Sequence, residues 1–108
     1  MHKIGLISLA TCLSALAILP ASAQSAGDPG RGRELSRQWC ASCHIVALGE
    51  GRSATDAVPT FMSVAAMPST TALSLRVFLQ TPHLRMPNFA LTAEQTDDAI
   101  AYILSLRR

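Results

Sequence analysis

The sequence predicts an all-α domain that follows a short N-terminal apolar segment. Three observations carry that reading. Capping signals stand at Asp28-Pro29 and at Thr92-Ala93-Glu94-Gln95, each ahead of apolar residues at helical spacing. Prolines 59, 68 and 82 divide the residues between those signals into short segments. Finally, no alternating strand pattern of useful length occurs anywhere in the chain.

Taken in order, Asp28 offers a carboxylate cap and Pro29 the first helical position, where a missing N–H costs nothing. A first helix then runs toward Trp39, with Leu35 and Trp39 four apart on one face. Gly32 inside it is disfavoured by about 1 kcal/mol against alanine, so close packing is the expected reason for it. Residues 49–56 read as loop. Pro59-Thr60 opens a short helical segment through Phe61, Met62, Val64 and Ala65. Pro68-Ser69-Thr70 ends that segment and starts another, whose apolar stripe is Leu73, Val77 and either Leu75 or Leu79. Thr81-Pro82 stops it. Thr92 caps the last helix, with Gln95 completing a capping box. Its apolar positions are Ala99, Ile100, Ile103, Leu104 and Leu106, and Tyr102 is expected half-buried.

The chemistry is concentrated in Cys40-Ala41-Ser42-Cys43-His44. Two thiols three positions apart with an imidazole directly after them form the attachment signature of c-type haem. One helical turn separates Cys40 from Cys43, so on a short helix both sulfurs face one side and add to the two vinyl groups of one porphyrin. His44 then reaches the iron from the same side. A thioredoxin-like site would need a βαβ pattern, and a zinc site would need a second pair of ligands. The only other cysteine is Cys12.

That residue lies in the leading segment. Met1-His2-Lys3 supplies a positive charge, Ile4 to Leu19 an apolar run, and Ala21-Ser22-Ala23 a small-residue cleavage site. Residues 1–23 are expected to be a cleaved secretory signal and 24–108 a single monohaem domain, with no permanent membrane anchor. The apolar run is shorter than the roughly 20 residues of a spanning helix. Export to the periplasm suits a chain whose thiols must meet haem outside the cytoplasm. Between residues 24 and 108 eight arginines face seven acids, and the sole lysine, Lys3, lies upstream. Such a balance excludes the basic stripe of a nucleic-acid binder.

Candidates for the sixth iron position are Met62, Met67, Met86 and His83. Methionines are commonly packing residues. Met86 is preferred because it stands in Leu84-Arg85-Met86-Pro87-Asn88-Phe89, an irregular stretch where Pro87 holds the preceding residue extended. His83 remains the rival, giving bis-histidine ligation.

The chain resembles a small bacterial class I cytochrome c. The resemblance spans nearly all of residues 24–108, in order: Gly32-Arg33-Glu34-Leu35 before Trp39, the haem motif, Pro59, Met86-Pro87-Asn88-Phe89 through Leu91-Thr92, and Ile100-Ala101-Tyr102-Ile103. It implies three to five short helices around one covalently attached haem c, with the first and last helices crossing at Gly32. It also implies that the Pro59 carbonyl accepts a hydrogen bond from His44. The surface lysines that mitochondrial relatives use for docking are absent here. With both axial positions filled, the expected activity is outer-sphere electron transfer rather than catalysis, with periplasmic redox proteins docking at the haem edge beside Cys40 and Cys43. The protein is expected to be a diffusing carrier. The alternatives are a dedicated electron-accepting subunit of a periplasmic dehydrogenase and a ligand-binding haem protein with a labile Met86.

Overall fold

The computed structural model describes residues 27–108. The predicted secretory segment 1–23, with Cys12 in it, lies outside them. Four helices and no strand are found among the described residues: α1 (Pro29–Trp39), α2 (Phe61–Ala66), α3 (Ala72–Gln80) and α4 (Ala93–Ser105). Each begins where a side-chain oxygen meets an orphan amide. Asp28 accepts from the Arg31 N–H, Thr60 from Ser63, Thr71 from Ser74 and Thr92 from Gln95, the last two as full capping boxes.

The two outer helices carry the architecture. α1 packs on α4 at Gly32, where an added Cβ would overlap the Asp98 carbonyl and stand 2.8 Å from Tyr102 Cβ. The glycine is there because two backbones approach this closely. The same junction is pinned by a buried carboxylate. Asp98 accepts from the Asp28 N–H at 2.6 Å and from Arg31 Nε at 2.8 Å and Nη2 at 3.1 Å. The Arg31 guanidinium, foremost, holds the Asp98 carboxyl below the usual carboxylate range, against the opposing pull of burial.

α2 and α3 also lean on α4. The core gathers Val46, Phe61, Ala65, Leu75, Ile100, Tyr102 and Ile103. Arg107 ties the chain end to the α2–α3 turn, donating from Nε to Ala65 O at 3.0 Å and from Nη2 to Thr70 O at 2.5 Å.

Two sequence expectations are corrected. In α3 the buried stripe is Leu75 with Leu79, while Leu73 and Val77 stand 71% and 58% exposed. Both pairs have four-residue spacing, so periodicity could not choose between the two faces. Tyr102 is buried rather than half-buried, because its hydroxyl donates to the Val46 carbonyl at 2.7 Å and can leave water without losing a partner.

Candidate functional site

α1 ends by unwinding into the chemically distinctive residues. Cys40 is its C-cap, donating its N–H to Ser36 O at 2.9 Å, and Ala41 donates to the same carbonyl at 3.0 Å. The Cys43 and His44 amides then both donate to Cys40 O, at 3.1 and 2.9 Å. The thiols therefore sit on a tight turn rather than on the short helix expected from the sequence. That turn still sets Cys40 and Cys43 on the wall of one cavity. Both are unpaired and partly buried, and burial pushes the Cys40 thiol up to about 11.

The loop after His44 returns to meet it. Pro59 O lies 2.7 Å from His44 Nδ1. A carbonyl only accepts, so Nδ1 carries the proton and donates, leaving the Nε2 lone pair bare. The Phe61 ring stands 5.5 Å from the imidazole, and its amide donates to Ile45 O at 3.0 Å.

Several ties fix that loop. The Ala54 N–H donates to Cys43 O at 2.9 Å, and Tyr102 holds Val46. Glu50 is clamped to α1 by Arg37 Nη2 at 2.6 Å, Arg37 Nε at 3.1 Å and Arg33 Nη2 at 3.0 Å. Its neighbours Gly49 and Gly51 have φ of 72° and 70°, left-handed values that let the turn deliver the carboxylate to both arginines.

The cavity has a volume of about 840 Å³. Leu35, Trp39, Cys40, Cys43 and His44 form part of its wall, α3 supplies Leu75, Phe78 and Leu79, and α4 supplies Ala99 and Ile103. Of the candidate sixth ligands, Met67, His83 and Met86 reach this wall. Met62 packs against the core instead. The His83 ring is stacked on Phe78 with centroids 3.8 Å apart. Trp39 holds Phe89 at 5.5 Å, three residues beyond Met86.

An apolar chamber of this size, with two thiols on its rim and one imidazole presenting a free nitrogen, suits a large flat metal-bearing cofactor. A comparison with curated proteins bears on which. Cytochrome c-552 of Bradyrhizobium diazoefficiens is 43% identical over 96 residues, covering 89% of this chain and 91% of the relative. The chain belongs to the small class I c-type cytochromes. No protein-family model and no solved structure matches it. As a c-type cytochrome it carries covalently bound haem c and is an electron carrier rather than an enzyme. The Cys-x-x-Cys-His turn and the apolar chamber beside it are the parts of the fold suited to that cofactor. Among the described residues of the cytochrome, no helix is long and apolar enough to cross a membrane.

Three residues that matter to the site were not singled out for it from the sequence. Phe61 backs the imidazole, Glu50 anchors the loop, and Phe78 holds His83. For Glu50 the flanking glycines signalled a turn, but not that its carboxylate meets Arg33 and Arg37. Phe61 and Phe78 gave none, being ordinary apolar residues of helical segments.

Proposed function

We propose that the cytochrome is a soluble periplasmic carrier in which Cys40 and Cys43 form the thioethers, His44 is the proximal ligand and Met86 the distal one. The observation that carries this reading is the 2.7 Å contact between His44 Nδ1 and Pro59 O beside an apolar chamber. It orients the ring, fixes its tautomer and leaves one nitrogen as donor. Bound haem c supplies the one-electron ferrous/ferric couple. The chain sets how readily that couple turns over. Met86, a soft thioether, favours the ferrous state, and the apolar wall disfavours the added charge of the ferric one. His44, held by Pro59, keeps one geometry in both states. With His44 and Met86 both committed, no position is left for substrate.

Electrons enter and leave at the rim formed by Cys40 and Cys43, where redox proteins dock transiently through a small apolar patch with a polar rim. The charged start, apolar run and small-residue site of residues 1–23 support export. A second reading, a dedicated subunit of a dehydrogenase, is favoured by one observation. Leu73, Val77 and the wholly exposed Leu84 leave apolar surface on and after α3 that a permanent partner would cover.

The deciding experiment is absorption spectroscopy of the ferric, haem-loaded protein. A methionine–iron charge-transfer band near the red end of the visible range is expected in the wild type, in Met62→Leu and in Met67→Leu, and is lost in Met86→Ala together with a fall in reduction potential. Loss of the band in Met67→Leu alone overturns the Met86 assignment.

A further inference from the structure

The segment that carries Met86 is attached to the domain in an unusual way. Its backbone bonds run only within itself, from the Phe89 N–H to Pro87 O at 3.1 Å and from the Leu91 N–H to Phe89 O at 2.8 Å. What fixes it is an aromatic contact toward each end, His83 on Phe78 and Phe89 on Trp39. Between them Leu84 is wholly exposed, so moving residues 83–85 uncovers little. A strap held by side chains rather than a hydrogen-bond ladder opens locally at small cost.

The donor inventory is narrow. Between residues 24 and 108 there is no lysine, and the only histidines are His44 and His83. His83 already lines the cavity, three residues before Met86 on the same strap. Imidazole is a good donor to iron in either oxidation state, whereas a thioether is a weak one toward the ferric ion.

Resting on the assignment of Met86 as the distal ligand, we propose that His83 is a reserve axial ligand, parked on Phe78 and delivered to the iron when Met86 lets go. The exchange breaks one Fe–S bond and forms one Fe–N bond, with no change in electron count. His83 donates through a neutral ring nitrogen, and the Met86 thioether returns to the strap. It keeps the iron six-coordinate, lowers the potential and closes the distal side to small exogenous ligands.

The test compares haem-loaded M86A with the double variant M86A/H83N by absorption and electron paramagnetic resonance, and by carbon monoxide binding to the ferrous forms. The expected result is a low-spin ferric M86A without the red band, turning high-spin in the double variant, with carbon monoxide entering M86A more slowly than the double. A high-spin M86A that takes up carbon monoxide as fast as the double variant overturns the reserve-ligand role while leaving Met86 as the ligand. A red band that survives in M86A overturns the Met86 reading, and this inference with it. Should M86A fail to retain its fold, wild type and H83N in increasing urea answer the same question. The wild type is expected to lose the red band while staying low-spin and H83N to become high-spin, and identical high-spin spectra for both would overturn the role.

Discussion

Replacing Gly32 by alanine tests the junction on which the domain is built. The added methyl group meets backbone on one side, with the Asp98 carbonyl carbon 2.6 Å away, and the first atom of Tyr102 on the other at 2.8 Å. Neither obstacle is the free end of a flexible side chain, so α1 and α4 must separate. Overpacking costs about 1–3 kcal/mol, and obstruction by backbone belongs at the upper end. Alanine recovers about 1 kcal/mol of helix propensity, leaving a net loss of about 2 kcal/mol. For a domain of this size that is a fall in Tm of roughly 8–16 °C. The assay is thermal unfolding of the ferric, haem-loaded protein followed by far-ultraviolet circular dichroism. Gly30→Ala is the control on the same helix, because its added Cβ meets only Asp28 Oδ1, at 3.0 Å. It gains helix propensity against that one tight contact and is expected to be as stable as wild type or more so, by up to about 1 kcal/mol. Equal melting of the two variants would refute close backbone approach as the reason for Gly32.

Three further outcomes are expected. Asp98→Asn puts an amide where Arg31 and the Asp28 N–H both donate, and costs about 1–3 kcal/mol at neutral pH by chemical denaturation. Because the folded carboxyl is held below its ordinary value, the unfolded chain binds the proton more readily. The stability from Asp98 is therefore complete above about pH 4 and is lost as pH falls through the carboxylate range, so the variant should show a flatter acid limb. Tyr102→Phe strands the Val46 carbonyl and should lower the urea midpoint by the equivalent of about 1–2 kcal/mol, with the haem spectrum retained. Haem should stay with the wild-type polypeptide through a denaturing gel, weaken in Cys40→Ser or Cys43→Ser, and detach fully in the double variant.

Much of this was legible in the sequence because helix starts are local. Asp28-Pro29, Thr60 and the Thr92–Gln95 box each announce an end by a group that satisfies an orphan amide within three residues. The start of α3 was blurred by three consecutive hydroxyl residues, of which only Thr71 is the cap. What sequence could not supply was direction around an axis or contact across distance. Leu73/Val77 and Leu75/Leu79 are equivalent until α4 shows which pair it touches. Asp98 looks like a solvated acid beside Asp97, yet it lies four residues before Tyr102, on the face that meets Gly32. The haem turn and the Pro59 contact with His44 were readable in the sequence, and Met86 was readable as a candidate that the fold brings to the cavity wall, whereas the contact of His83 with Phe78 depends on a fold in which α3 and the strap meet.

The bond from the Asp28 N–H to Asp98 spans 70 positions and joins the start of α1 to α4. Everything from the haem turn to the methionine strap is then a single closed loop, with its entropy reduced once and from outside. Domain termini are ordinarily the expendable part of a protein, free to fray or be trimmed. Here the relation is reversed: Gly27, ahead of α1, lies against the Asp97 backbone, and Arg107, just after α4, holds the α2–α3 turn. A protease trimming the last two turns of α4 would take Ala99 and Ile103 from the chamber wall and Tyr102 from the Gly32 junction, so a single cut would open both the wall and the clasp beside it.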